Sequence, residues 1–296
     1  MALEPITRQE QLLSAIATGG DILSPVTREE MYLAYLAGDT SVVLPEPITR
    51  KEQFLYQACL NGGGGGGTEI TDGIVVKARD ADGYATEVDF YGTAVQPYQF
   101  YCSSRTVGAF KNMKSIAFKN AVTAINAYSF HATGITQLPE ISSVSELASN
   151  AFRKCTMLSG SVSLPTITKL SAEVFRECSG ITAITAENAT FAGESVFMGC
   201  TALQTAHLPK CSTLGTQAFY TDTALTDVQI GSVGSAVTSC ANTSFKSCTQ
   251  TGLTITVYTT GAYADTALTN IRNGATNATI IVKDSTTGET IVTSTP

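Results

Sequence analysis

Histidine, positive charge, long apolar runs and paired cysteines are all scarce in this sequence, and each scarcity closes a class of function. Only two histidines, His131 and His207, stand in 296 residues, and neither has a serine or cysteine partner at a motif spacing for nucleophilic catalysis. No pair of carboxylates stands out at glycosidase-like positions. Lysine and arginine number 18 against 25 acidic residues, for a net charge of −7, and nucleic-acid binding needs a basic stripe that is absent. No apolar run approaches the roughly 18 residues of a membrane span. The eight cysteines include no C-x-x-C pair, which argues against zinc. The first twenty residues lack a basic start and an apolar core, so no secretory signal is expected. Six consecutive glycines, Gly62–Gly67, run into Thr68-Glu69 and not into the Gly-Lys-Ser/Thr of a phosphate loop. The residues predict no enzyme, no cofactor and no metal site; Asp80-Ala81-Asp82-Gly83 starts like a calcium loop but the later ligands are missing.

What the sequence has is a repeat. A phenylalanine returns at Phe130, Phe152, Phe175, Phe197, Phe219 and Phe245, at spacings of 22, 23, 22, 22 and 26 residues. A fixed period in the twenties marks a solenoid of stacked supersecondary units. Other slots travel with the ring. Five residues earlier stand Ile125, Leu147, Leu170, Ala192, Leu214 and Cys240, and three later come Cys155, Cys178, Cys200 and Cys248. After each unit comes an alternating run such as Ile184-Thr185-Ala186, Ala206-His207-Leu208 or Val228-Gln229-Ile230. Alternation with period 2 predicts a strand with one buried face. Leu-Pro at Leu138, Leu164 and Leu208 marks strand ends, because proline lacks the ladder N–H. Six of the cysteines lie in slots that are apolar in sister repeats, so they are expected as buried small hydrophobes. Rungs about 4.8 Å apart would also put stacked thiols within disulfide reach; free thiols are the favoured reading.

These slots together resemble the BspA-type leucine-rich repeat, a Leu-x-x-Ile-x-Leu-Pro strand followed by Ile-x-x-x-Ala-Phe-x-x-Cys. Leu203 to Phe219 and Leu164-Pro165 through Cys178 carry the likeness best. Asp222 and Thr133 stand where the cysteine is expected, and the last spacing carries an insertion around Gly231–Ser235. The resemblance implies a β-rich α/β solenoid that binds and does not catalyse. Members of that family are bacterial and protist surface adhesins and phage proteins.

The N-terminus carries a different repeat. Pro5-Ile6-Thr7-Arg8-Gln9-Glu10 recurs as Pro25-Val26-Thr27-Arg28-Glu29-Glu30 and Pro47-Ile48-Thr49-Arg50-Lys51-Glu52. Thr followed three residues later by Glu is a capping box, and apolar residues follow at one helical face. Three short helices are predicted within residues 1–60, too short to be stable alone, so they anchor or oligomerise. The caps Thr7, Glu10, Thr27, Glu30, Thr49 and Glu52, with Arg8, Arg28 and Arg50, are the candidate anchoring residues. The phrase resembles N-terminal segments of phage structural proteins, head and tail fibres. The resemblance implies a virion protein, anchored on capsid or tail partners, homo-oligomeric, assembled in the host cytoplasm. A cell-surface adhesin is the alternative.

Residues 61–67 then read as a flexible linker, 68–112 as a hairpin cap with Asp82-Gly83 at its turn, 113–257 as the solenoid, and 258–296 as a C-terminal cap with a loose tail. His207, between Ala206 and Leu208, is expected to point away from the core. With Gln137, Ser163, Thr185, Gln204, Asp227 and Gln229 it makes a polar face that suits a flat contact with a bacterial surface glycan or protein and not a deep pocket. His131, directly after Phe130, is expected in a turn.

Overall fold

The computed structural model describes residues 73–104 and 108–296; the predicted N-terminal helices and the glycine linker lie outside them. Numbered in chain order, the first sheet holds β1 (Ile74–Arg79), β2 (Ala85–Phe90) and β4 (Ser115–Phe118), in the order β1-β2-β4. The β1–β2 turn is the Asp82-Gly83 signal: the Asp80 carboxylate accepts from the backbone of Asp82 and Tyr84, and Gly83 takes a positive φ of 83°, a conformation glycine adopts without strain. β2 already pairs in parallel with β4, Val88 opposite Ile116.

Two seven-stranded sheets follow, one spanning residues 94–240 and the other residues 159–294. One is made of two-residue strands: β3 (Ala94–Val95), β5 (Ala124–Ile125), β6 (Glu146–Leu147), β8 (Lys169–Leu170), β10 (Phe191–Ala192), β12 (Thr213–Leu214) and β14 (Ser239–Cys240). The other holds β7 (Ser159–Ser163), β9 (Gly180–Thr185), β11 (Thr205–Leu208), β13 (Asp227–Ile230), β15 (Thr254–Thr259), β16 (Thr279–Asp284) and β17 (Thr290–Ser294). All pairings are parallel save the last, β16 with β17. The turns from β7 to β14 contribute one rung to each sheet, at a period near 22 residues; β3, β5 and β6 precede the first long strand, and β15, β16 and β17 have no short-strand partner.

Between the sheets the phenylalanines form one column. Phe100, Phe130, Phe152, Phe175, Phe197, Phe219 and Phe245 are fully buried, and successive rings stack at centroid distances of 5.1, 5.1, 5.6, 6.2, 5.2 and 5.1 Å. Such ring pairs add about 0.5–1.5 kcal/mol beyond burial. From Phe130 onwards the residue before each ring is small or β-branched and buried, as at Ala151, Val174, Val196 and Ala218. The backbone turns tightly on both sides of the ring. Two residues before it φ is positive at Tyr128, Asn150, Glu173, Ser195 and Gln217, and two residues after it at Ala132, Lys154, Glu177, Gly199, Thr221 and Ser247. Left-handed conformation costs a residue with a Cβ roughly 1–2 kcal/mol, so stacking, and not local preference, holds these turns.

The short-stranded sheet is closed by a ladder of hydroxyls. Thr168 donates to the Ser145 carbonyl (3.0 Å), Thr190 to Thr168 (3.2 Å), Ser212 to Thr190 (3.1 Å) and Thr238 to Ser212 (3.3 Å). A helix, α1 (Gly261–Arg272), covers the final rungs with Ala264, Ala267 and Ile271. Arg272 at its end donates to the carbonyls of Ala278 (2.7 Å) and Ser294 (2.8 Å).

The structure corrects three expectations. Repeats begin before residue 113: Phe100 is the first ring of the column and β2 the first rung. Where one alternating strand per repeat is expected, a second, two-residue strand ahead of each phenylalanine forms a sheet of its own. The terminal region contains α1, and half of the tail expected to be loose, Thr293 and Ser294 of Thr293–Pro296, is held in β17.

Candidate functional site

The long strands build the site by alternation. In β11, Ala206 and Leu208 are buried while Thr205 is exposed and His207 half-buried; β13 repeats this with Val228 and Ile230 buried, Asp227 exposed and Gln229 half-buried. Buried residues stack towards the phenylalanine column, and their neighbours necessarily face out. Parallel register aligns the outward residues into columns. Ser163 pairs with Thr185, Thr185 with His207, His207 with Gln229, Gln229 with Thr256 and Thr256 with Ile281. The adjacent outward column runs Ser161, Ala183, Thr205, Asp227, Thr254 and Thr279.

Four of the seven face residues read from the sequence therefore share one column: Ser163, Thr185, His207 and Gln229. Asp227 lies in the next column. Gln204 lies just ahead of β11, with Thr182 accepting from its backbone N–H and Thr226 donating to its carbonyl, both at 2.8 Å, so it sits at the margin of the face. Gln137 is exposed but outside any strand; its neighbour Thr136 links Lys114, just ahead of β4, to Ser159 of β7 through backbone bonds of 3.0 and 3.3 Å. Thr7, Arg8, Glu10, Thr27, Arg28, Glu30, Thr49, Arg50 and Glu52 lie outside the described residues.

The outward columns are mostly hydroxyls, one imidazole and one amide, with a lone carboxylate at Asp227. Gln229 spends part of its amide on its own chain, donating to the Gly231 carbonyl at 3.2 Å. Sequence reading missed the C-terminal extension of the face: Thr254, Thr256, Tyr258, Thr279 and Lys283. The alternation Thr-Ile-Thr-Val-Tyr at 254–258 carried that signal. There Lys283 lies over the Tyr258 ring, 5.6 Å from its centroid.

His131 is elsewhere. It is buried, stacks on Tyr101 at 4.9 Å and donates from Nδ1 to the Cys102 carbonyl at 2.7 Å. Burial pushes its pKa below the ordinary histidine value, against the opposing pull of that carbonyl. It is a structural turn residue. No disulfide joins the seven described cysteines, all buried. Burial raises the thiol of Cys211 to about 11 and those of Cys240 and Cys248 to about 12, and also pushes up those of Cys178 and Cys200, so these five are not ready nucleophiles at neutral pH. Among the described residues no group of three or more His, Cys, Asp or Glu is placed to hold a metal ion, and no helix is long and apolar enough to cross a membrane.

Comparison with known proteins follows the architecture. The model for the BspA type leucine rich repeat region matches in six copies, over residues 90–204 and 148–272. A leucine-rich repeat protein of Bacteroides ovatus is 21% identical, with TM-score 0.40 over 49% of this chain and 42% of its own. One from Eubacterium ventriosum is 22% identical, TM-score 0.40, over 51% and 40%. A leucine rich cell surface protein of Faecalibacterium prausnitzii is 17% identical, TM-score 0.38, over 67% and 60%. The chain thus spans less than two thirds of the length of each. No curated protein matches. The family match begins at residue 90 and leaves the N-terminal Pro-Ile-Thr-Arg phrase aside, so the likeness to phage structural proteins rests on that phrase alone. Matched over more than half its length by the repeat model, and built as stacked rungs around one phenylalanine column, the chain belongs to the BspA-type leucine-rich repeat family.

Proposed function

We propose that the repeat domain is a non-enzymatic recognition module whose long-stranded face contacts a glycan or protein on a bacterial surface. The observation that carries this reading is the outward column Ser163–Thr185–His207–Gln229–Thr256, aligned rung by rung on a parallel sheet. Small hydroxyls and one imidazole offer hydrogen-bond donors and acceptors without the entropy cost of ordering long side chains. A contact of this shape gains strength from multivalent display, which the N-terminal segment and glycine run would provide by anchoring several copies. The adhesin role fits the family. The virion-fibre role is the second reading, and the thrice-repeated Pro-Ile-Thr-Arg phrase favours it.

Labelled protein is tested for binding to a panel of whole bacterial cells and immobilised cell-wall glycans. Strain-selective binding, lost on Thr185→Glu or His207→Glu with an unchanged melt, supports the reading. Binding that survives both substitutions removes this face from the function. Deletion of residues 1–60 separates the anchoring roles: a virion protein loses incorporation into particles and keeps cell binding.

A further inference from the structure

Four cysteines occupy one slot of successive repeats, and each thiol donates to the carbonyl of the phenylalanine one repeat earlier: Cys155 to Phe130 (3.0 Å), Cys178 to Phe152 (3.0 Å), Cys200 to Phe175 (3.2 Å) and Cys248 to Phe219 (2.8 Å). The series leaves one carbonyl, that of Phe197, to residue 222, and residue 222 is an aspartate. Asp222 is 0% exposed, and neither of its carboxyl oxygens has a hydrogen-bond partner. The titratable groups against it are the Cys200 and Cys248 thiols, one from the rung on each side; among the described residues no lysine, arginine or histidine bears on it. An ionised carboxylate there would be a buried charge without a counter-ion, which is strongly unfavourable. A neutral carboxyl has an O–H to give, as the thiols have an S–H.

We propose that Asp222 sits in the folded solenoid as the neutral acid, donating its O–H to the Phe197 carbonyl, and that its ionisation at rising pH loosens the rungs beside it, an acid-tightened latch within the repeat stack. Burial holds its proton well above the ordinary carboxylate range; the opposing pull of the nearby Cys200 and Gly199 N–H groups is smaller, because those groups already donate to the Phe197 and Tyr220 carbonyls. In the unfolded chain the carboxyl ionises at about pH 4. The folded form keeps the proton above that pH. The contribution to stability is therefore full below about pH 4 and declines as pH rises towards the folded value.

The test is thermal unfolding of the full chain between pH 4 and pH 9, for wild type, Asp222→Cys and Asp222→Asn. Asp222→Cys restores the residue of the sister repeats. Its Tm is expected to exceed that of the wild type by on the order of 5 °C at pH 8, with the gap closing towards pH 4. Parallel curves across that range overturn the proposal. A measurement on the wild type alone stands if the variants fail to fold. With carboxyl-labelled aspartate, the folded protein at pH 7 shows one protonated carboxyl; a spectrum in which every aspartate is ionised overturns it too. Amide exchange at pH 5 and pH 8, corrected for intrinsic rates, locates the loosening. Extra opening confined to the rungs from Phe197 to Cys248 is the expected result, and uniform behaviour along the chain refutes the latch.

Discussion

The sheet that begins at β7 and the sheet that begins at β3 share the repeats from β7 to β14, one rung of each per turn, and they use them differently. The long-stranded sheet has strands of four to six residues, and its outward residues change from rung to rung: serine, threonine, histidine, glutamine. The short-stranded sheet has two residues per rung, and beside it the same chemistry returns in four successive repeats, a threonine or serine hydroxyl on the carbonyl of the rung before. Recurrent side chains close the backbone where the chain turns fastest. Variable side chains lie where the backbone closes itself. In this solenoid the repeated hydroxyls beside the short strands are structural, and the unrepeated outward residues of the long strands are those the proposed recognition would use.

Four predictions test that contrast, the largest first. Phe175→Ala removes a ring that supports both sheets and should cost roughly 3–5 kcal/mol, seen in urea or thermal unfolding. A melt matching the parent would break the picture of a shared column. Arg272→Ala deprives the last strands of charge-assisted hydrogen bonds and is expected to cost about 1.5–3 kcal/mol, with amide exchange rising first in Thr290–Ser294. Thr190→Val and Thr185→Val then form a matched pair. The first breaks the hydroxyl ladder for about 1 kcal/mol; the second touches only the variable face and should stay within about 0.5 kcal/mol. Equal losses in urea titrations would erase the distinction between the sheets. The smallest effect is at Glu146, whose carboxyl is held below its ordinary range chiefly by Lys169, 2.6 Å away, and by Ser171. This stabilisation is present above the unfolded carboxylate pKa and is lost as pH falls through the folded value. The pair is about half exposed, so solvent screening limits it to a few tenths of a kcal/mol; Glu146→Gln should flatten that part of the acid limb and no more.

The phenylalanine column from Phe130 onwards was legible because one residue returns at nearly constant spacing. Phe100 escaped because 30 residues separate it from Phe130, a gap no repeat period spans. The short-stranded sheet escaped because two residues carry no alternation to detect. Helix α1 escaped for a different reason: its buried residues are two alanines and Ile271, and Thr260 makes no side-chain cap, so neither an amphipathic stripe nor a capping box announces it. On the face, Thr185, His207 and Gln229 were legible from alternation with buried neighbours. Gln204 and Gln137 were assigned to it by proximity in sequence, and both lie where strand geometry has not begun or does not hold. The extension through Thr254, Thr256 and Lys283 was masked by the change of connection from a phenylalanine turn to a helix.

Parallel register has one more consequence. Strands in a sheet lie about 4.8 Å apart, so the column from Ser163 to Ile281, six residues long, is a ruler of roughly 24 Å. Its graduations are fixed by the backbone and its marks by the side chains. A molecule that reads every mark must itself be extended over that distance, and a polymer whose own repeat is commensurate with the rung spacing can bind in several shifted positions of nearly equal energy. Changing one residue alters one graduation and leaves the scale intact.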